Sequence, residues 1–564
     1  MSLWFFTGIL LVFISSCSSP AVITGEIYPV PAGGEITLAY DDEIKIKPDS
    51  AGHFSFLLHD VPREGSYVLL QTEMDISLFV RPGENLYVKI DEGKKQYAVK
   101  GKDTSLNQQI QALQQRLGSL GKEVEQKNLF REDIKHYVAF LDSALDLLEA
   151  PVNAPDKFIR YEEERMGWFR KQMLWRYPFS HALVRREKYT WPDSLKGIFP
   201  DISFTDPSWL VFPEFRSFLS VWLDMEAKYR IENEPLRYED FCFTRMKMDI
   251  ARNGIKEMRI RNYALKKIMQ DHLVQFGPYH ADTLLSMFDS YCTHAGYRKE
   301  IDSLYDAVLR RNNDHLVMPY KKIKNIVLDA HVFLPSDEGD ELHPAVCFYF
   351  GGGWYEGTPE VFFDFCRFFA RHGYVAVSFD YRTKGRFNTT PVEALQDARS
   401  ALRWIRSMAG KWKIDPSRVA ACGWSAGGHL AACTAIIPGY DDPCDTLSQR
   451  ATPDAIVLNA SCVMPEEDNW FYYVSQYVMD PKLLSPYARL HKNIPPVLIL
   501  HGTADEYVPV WTVKKFEQKI REKHAMVVSL IKEGARHRDF RNEYYAGVIL
   551  DFLNRAMKKT PVRR

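Results

Sequence analysis

Val419-Ala420-Ala421-Cys422-Gly423-Trp424-Ser425-Ala426-Gly427-Gly428-His429-Leu430-Ala431-Ala432 is an apolar strand that runs without a spacer into a glycine-flanked serine and then into an apolar helix. A serine hydroxyl is a poor nucleophile unless a sharp bend presents it to a base, and flanking glycines remove side chains that would collide at such a bend. Strand, tight turn and helix therefore predict a nucleophile elbow with Ser425 at its tip.

Outward from that turn the rhythm is strand then helix. Residues 326–334, 345–350, 374–379, 419–422, 455–458, 497–500 and 526–531 are strand candidates, most of them continuously apolar, as in a parallel sheet covered on both faces. Between them, residues 391–408, 426–437, 511–523 and 544–556 carry helical spacing. The alternation predicts an α/β unit over residues 321–560.

Two later loops supply partners for the serine. The apolar run Val497-Leu498-Ile499-Leu500 ends in His501-Gly502-Thr503-Ala504-Asp505, which puts a carboxylate at the C-terminal edge of the sheet. Asp505 is the candidate triad acid, with Glu506 the weaker candidate and the capping of a helix near Val510 the structural alternative. After the next strand comes Glu533-Gly534-Ala535-Arg536-His537-Arg538, so His537 is the candidate general base. The order Ser, Asp, His is that of an α/β-hydrolase triad. Transition-state charge on a carbonyl oxygen needs preset N–H donors. The strand ending at Phe350 delivers Gly351-Gly352-Gly353-Trp354, and Gly352, Gly353 and Ala426 are the candidate oxyanion donors, unless the glycines form only a flexible turn. This chemistry calls for no metal and no organic cofactor.

Taken together, Gly351-Gly352-Gly353-Trp354, Asp380-Tyr381-Arg382, Asp415-Pro416-Ser417-Arg418-Val419, Gly423-Trp424-Ser425-Ala426-Gly427-Gly428-His429 and His501-Gly502-Thr503-Ala504-Asp505 resemble the α/β-hydrolase carboxylesterases related to hormone-sensitive lipase and to bacterial acetyl and feruloyl esterases. The resemblance implies ester hydrolysis through an acyl-enzyme, with short acyl groups on carbohydrate as a substrate class. Two positions depart from the family pattern. Phe350 stands where the family usually has a histidine before the glycines, and Arg536 and Arg538 flank His537 where small residues are usual. A second reading is a serine peptidase related to prolyl oligopeptidases, which share the elbow and the acid loop but usually carry a β-propeller ahead of the hydrolase. A third is a binding lipoprotein with an idle hydrolase fold, against which all three triad positions are filled.

Upstream the pattern differs. Residues 21–102 are short alternating apolar segments broken by turns such as Pro48-Asp49-Ser50-Ala51-Gly52 and Arg81-Pro82-Gly83-Glu84-Asn85, which predicts an all-β sandwich. With Phe79-Val80-Arg81-Pro82-Gly83-Glu84 these turns resemble the N-terminal β domain of Bacteroidetes lipoproteins. That domain often precedes a thioredoxin-like one, but no C-x-x-C follows here. Residues 105–315 change to helical spacing, with Leu106, Ile110, Leu113 and Leu117 and then Leu141, Leu145 and Leu148 recurring every three or four residues. Aromatics such as Trp168, Phe215 and Phe218 read as interhelix packing rather than a sugar platform. Glu162-Glu163-Glu164 reads as a solvated helix face. The fold class is thus multidomain, with a sandwich, a central all-α region and a C-terminal α/β-hydrolase.

The apolar stretch at residues 3–14 is too short for a transmembrane helix, which needs about 20 residues, and reads as a removable signal. Ile14-Ser15-Ser16-Cys17 resembles a bacterial lipobox, which implies a lipoprotein signal at residues 1–17, a lipid anchor at Cys17 and an address in the cell envelope. The alternative is a plain signal peptide with an incidental cysteine. Met1-Ser2 supplies no Lys or Arg ahead of the apolar run. The length of 564 residues calls for two or three domains, and 46% hydrophobic with 26% charged residues is ordinary globular composition. With 72 Lys and Arg against 73 Asp and Glu, the net charge of −1 offers no cationic footprint for nucleic acid. The nine cysteines form neither a disulfide framework nor a zinc-ligand spacing.

Overall fold

Eight short strands fold the N-terminal region into two sheets of four in the computed structural model, which describes residues 20–30, 35–40, 43–148, 154–190, 202–235, 240–311, 314–336 and 341–558. The signal segment with Cys17 lies outside the described residues. The first sheet has the order β4-β1-β7-β8, from β1 (Ala21–Tyr28), β4 (His53–Leu58), β7 (Asn85–Asp91) and β8 (Gln96–Lys100). The second has the order β3-β2-β5-β6, from β2 (Ile36–Ala39), β3 (Glu43–Ile46), β5 (Ser66–Gln71) and β6 (Asp75–Val80). Residues alternate strictly between buried and exposed along β4 and most of β7, as strands with one wet face must. Ile23, Ile27, Phe56, Leu70, Leu78 and Val88 fill the space between the sheets.

The chain divides into two compact units, residues 1–177 with 205–222 and residues 178–204 with 223–564. Helices of the expected 105–315 region occur in both. In the first unit, Leu106, Ile110 and Leu117 of helix Thr104–Gln126 are buried, as their spacing requires, while Leu113 is half-buried. Trp168 packs edge-on against Trp209 and Phe215, with ring centres 4.9 and 4.8 Å apart, so the aromatics there are core.

The expected solvated face at Glu162-Glu163-Glu164 holds for the last two residues and fails for the first. Glu162 is 3% exposed, accepts hydrogen bonds from Tyr67 Oη and from Arg165 Nη1 (3.0 Å), and shares that arginine with Glu214. The guanidinium of Arg165 is fully buried and grips Glu214 through Nε (3.0 Å) and Nη2 (2.8 Å). Burial opposes its charge, yet the two carboxylates outweigh that cost and hold its proton more firmly than usual. Removing one member of such a cluster leaves uncompensated buried charge. Arg165→Leu is expected to destabilise the first unit by about 3–5 kcal/mol. Glu162→Gln with Glu214→Gln on the Arg165→Leu background should recover part of the loss. Denaturant midpoints of the three proteins check this, and a midpoint for Arg165→Leu equal to wild type contradicts it.

The second unit is built on an eight-stranded sheet of order β16-β15-β14-β13-β11-β12-β10-β9. Its strands are β9 (Leu316–Ile323), β10 (Ile326–Phe333), β11 (His343–Tyr349), β12 (Val375–Phe379), β13 (Ile414–Trp424), β14 (Ala455–Asn459), β15 (Val497–Gly502) and β16 (Val527–Lys532). Every pair from β12 to β16 is parallel, and β10 runs antiparallel to both β9 and β12. β11, β12 and β14 are buried throughout apart from Pro344, because helices cover both faces. On one face, helices Phe363–Arg371 and Glu543–Ala556 pack Phe365, Phe369, Ile549 and Phe552 onto Phe348, Cys422 and Val457. Burying each such aromatic or aliphatic side chain contributes about 1.5–3 kcal/mol. Helix Pro391–Ser407 is started by a capping box, Thr390 with Glu393, and by a proline at its first position. Among the described residues no helix is long and apolar enough to cross a membrane.

Strand order also locates the site. After β11 the chain crosses to β12 on one side and then returns to β13 on the other, so the direction of winding reverses between β11 and β13. Crevices at such a reversal, beyond the carboxyl ends of the strands, are where open α/β sheets bind ligands. β11 and β13 pair Tyr349 opposite Gly423. The glycine run after β11 and the serine after β13 therefore leave the sheet side by side.

Candidate active site

Ser425 sits between β13 and helix Ala426–Ile436 with φ 56° and ψ −119°, a conformation that costs a residue with a Cβ energy and persists only where the surroundings enforce it. The surroundings do so. Ser425 N–H donates to Asn459 O (2.9 Å), and Ser425 O accepts from His429 N–H (3.1 Å). A Cβ on Gly427 would run into the carbonyl oxygens of Tyr349 and Phe350, and one on Gly423 into the backbone of Gly427, so both flanking glycines are required by contact. From Ala420 to Ile437 every residue is buried except Ser425. The turn thus exposes the one hydroxyl that matters.

Asp505 and His537 come together from the loops after β15 and β16. His537 Nδ1 lies 2.8 Å from Asp505 Oδ2 and 3.0 Å from Oδ1, with the two side chains 5% and 0% exposed. Asp505 Oδ1 also accepts from the amides of Tyr507 (2.9 Å) and Val508 (2.8 Å). Burial alone would raise this carboxyl's pKa, but the bonds from His537 and the two amides outweigh burial and hold it below its ordinary value. The helix-cap alternative does not apply, because helix Val510–Glu522 starts at Pro509 with no side-chain cap. Glu506 accepts from the backbone N–H of His537 (3.3 Å) and pairs with Arg536 (3.4 Å), so it steadies the loop without touching the imidazole. Arg536 is accordingly turned to Glu506 rather than toward the ring. His501 donates from Nε2 to Val508 O (3.0 Å), and burial depresses its pKa, so it stays neutral and braces the acid loop.

Trp424 links the base to the nucleophile. Its Nε1 donates to His537 O (3.1 Å), and its ring lies 5.3 Å from the imidazole. With Nδ1 engaged by Asp505, Nε2 is the nitrogen left for Ser425. Among the described residues no hydrogen bond yet joins Ser425 Oγ to His537, a bond that often tightens only when substrate is bound.

The glycine run turns tightly: Gly352 has φ 129° and Gly353 φ 60°, and Gly352 O accepts from the amides of Tyr355 and Glu356 (both 3.1 Å). Gly353 O accepts from Trp470 Nε1 (2.8 Å), and Gly357 N–H donates to Gln275 O (2.7 Å), so helix Met258–Phe276 fixes the far end of the loop. Among the described residues the N–H groups of Gly352, Gly353 and Ala426 have no acceptor. Ala426 opens a helix, where that N–H is unsatisfied by construction.

Phe350, in the place of the expected histidine, stacks on Tyr381 at 4.0 Å between ring centres, and Tyr381 Oη donates to Phe350 O (2.8 Å). A tyrosine thus supplies the orienting bond. The rest of the Asp380-Tyr381-Arg382 motif is anchorage: Asp380 meets Arg386 at 2.6 Å, and Arg382 grips Asp397 through Nε (2.8 Å) and Nη2 (2.7 Å). Three residues have supporting roles that the sequence does not assign. Trp470 lies in a segment with no motif, His429 holds Trp354 Nε1 at 3.3 Å, and Asn459 Nδ2 donates to Phe540 O (3.0 Å). Among the described residues no group of three His, Cys, Asp or Glu side chains is placed to hold a metal ion.

Known families and proteins are similar to this chain over its C-terminal part. Residues 330–463 match the BD-FAE family model, and residues 453–560 match that of the prolyl oligopeptidase family. Esterase LipQ of Mycobacterium tuberculosis is 30% identical over 204 residues, 32% of this chain and 48% of the relative. Carboxylesterase NlhH of the same species is 36% identical over 110 residues, 19% of this chain and 33% of the relative. The chain spans about half the length of the first of these relatives. A thermophilic esterase from Thermogutta terrifontis is 30% identical in a structure match with TM-score 0.42, covering 45% of this chain and 96% of that one. Sheet order, elbow and sequence matches together make the C-terminal part of the chain an α/β-hydrolase domain similar to carboxylesterases.

Proposed function

We propose that the chain is a serine carboxylesterase that hydrolyses its substrate through an acyl-enzyme on Ser425. The observation that carries this is the Asp505–His537 pair, docked through Trp424 beside a serine held at φ 56°. In this reading Ser425 Oγ attacks the ester carbonyl carbon while His537 Nε2 takes its proton. The carbonyl oxygen gathers negative charge against the N–H groups of Gly352, Gly353 and Ala426. His537 then returns the proton to the leaving alkoxide, and a water activated by the same nitrogen releases the acid. Asp505 keeps the proton of His537 on Nδ1 and stabilises the imidazolium.

Short acyl groups on carbohydrate fit as substrates, and a lipid anchor at Cys17 would hold the domain in the bacterial cell envelope, where glycans are processed. The peptidase reading draws on the match of residues 453–560 to the prolyl oligopeptidase family, which spans the acid and base loops. Ahead of the hydrolase, however, lie a two-sheet sandwich and helices rather than a propeller. p-Nitrophenyl acetate and a dipeptidyl p-nitroanilide, each tested with wild type and Ser425→Ala, separate the readings. Ester turnover that disappears in the variant is the expected result. Anilide turnover in excess of ester turnover establishes the peptidase, and no turnover of either establishes the idle fold.

A further inference from the structure

The loop that leads from His537 to the last helix holds three arginines, and only one is neutralised. Arg536 meets Glu506 at 3.4 Å, and its own N–H donates to Asp539 (2.8 Å). Arg538 is exposed, and among the described residues neither it nor Arg541 has an ion-pair partner or a hydrogen bond. The guanidinium of Arg541 lies 4.4 Å from the centre of the Trp424 ring, directly against the residue that precedes the nucleophile. Its Nε is buried without an acceptor. Burial and the nearby charge of Arg538 both work against the charge on Arg541.

The charge of Arg538 also reaches Glu356, which sits on the oxyanion loop three residues after Gly353 and feels Lys228 and Lys247 more strongly. Burial raises the pKa of that carboxyl, which blunts it as a permanent counter-ion. Among the described residues neither guanidinium has an anionic partner, and the nearby charge of Arg538 opposes that of Arg541, so an anion arriving between them relieves both. Arginine is the usual recognition element for carboxylates, because its planar N–H fork matches both oxygens. The proton path decides which part of the ester lies there. His537 Nε2 hands its proton to the leaving alkoxide, so residues adjoining His537 flank the alcohol portion, while the glycine loop flanks the carbonyl.

We propose that Arg538 and Arg541 form a subsite for a carboxylate on the alcohol portion of the ester, so that the substrate is an acyl ester of a hydroxy acid, an acidic sugar included. This rests on the serine esterase reading and narrows its substrate class. 4-Acetoxybenzoate and 4-acetoxybenzamide share the acetyl group and the shape of the leaving phenol, and differ in charge. The wild type is expected to favour the anion in kcat/KM. The ratio of the two values should fall about tenfold in Arg538→Met/Arg541→Met, shrink as salt is added, and rise in Glu356→Gln. Arg538→Glu, a change at an exposed position, should invert the preference without disturbing the packing on Trp424. A ratio within twofold of wild type in both the double variant and Arg538→Glu overturns the proposal.

Should neither ester be hydrolysed, the esterase reading falls, and binding decides the subsite separately. 4-Hydroxybenzoate and 4-hydroxybenzamide are then titrated into Ser425→Ala and followed by NMR. Preference for the anion that vanishes when Arg538 and Arg541 are also replaced supports the subsite. Equal binding of the two phenols refutes it.

Discussion

Ser425→Ala and His537→Ala each lower kcat on a nitrophenyl ester by about 10⁶-fold, and the double variant loses no more than either single one. Nucleophile and base act as one device: without the hydroxyl there is nothing for the imidazole to deprotonate, and without the imidazole the hydroxyl keeps its proton. What survives is the oxyanion donors and substrate positioning, roughly 10³–10⁴ over water. The Ser425 side chain makes no hydrogen bond among the described residues, so its loss leaves the packing of the elbow intact. Thermal unfolding of the Ser425→Ala protein should therefore match wild type while turnover collapses. Losses that multiply in the double variant would mean the two side chains serve separate steps and would dissolve the triad.

The parts legible in the sequence were those written in local pattern. Continuous apolar runs identified β11, β12, β14 and β15 because both faces of those strands are covered, and the motif around Ser425 was legible because close backbone contacts demand its glycines. β9 had no such signature. It is an edge strand, exposed or half-buried at seven of its eight positions, so Leu316–Ile323 mixes polar and apolar residues and the expected start at 321 falls inside it. Glu162 differs from its expectation for a related reason: neighbours in sequence point in different directions, and only the fold brings Arg165 and Tyr67 to one of the three carboxylates. Trp470 and Gln275 reach the glycine loop from 117 and roughly eighty residues away, and no spacing rule links such distant positions. Tyr381 in the place of a histidine shows the same limit. The orienting bond is kept while the residue type and its sequence position both change.

Asp505→Asn is expected to cost about 10⁴ in kcat with the fold retained, because of where the other hydrogen bonds of Asp505 hold its side chain. Oδ1 accepts from the amides of Tyr507 and Val508, so in the variant the carbamoyl oxygen must stay there and the NH2 group takes the place of Oδ2 against His537 Nδ1. A donor facing Nδ1 forces the imidazole into the tautomer that carries its proton on Nε2, where it blocks rather than accepts the proton of Ser425. Glu506→Gln, by contrast, touches only the backbone N–H of His537 and Arg536 and should cost less than about tenfold: the two bonds fall on different carboxylate oxygens, so the single carboxamide oxygen keeps the one from His537 N–H and only the exposed contact with Arg536 is lost. Equal losses in the two variants would move the acid to Glu506. The pH dependence of stability follows with a definite sign. Burial would raise the pKa of Asp505, but its hydrogen bonds prevail and depress it in the folded state. Its contribution is complete above the ordinary carboxylate pKa of about 3.9 and is lost as pH falls through the lower folded value. Below about pH 4 the wild type should therefore lose stability relative to Asp505→Asn, which has no carboxylate to protonate there, and unfolding midpoints of the two proteins compared between neutral and acid pH measure that difference directly.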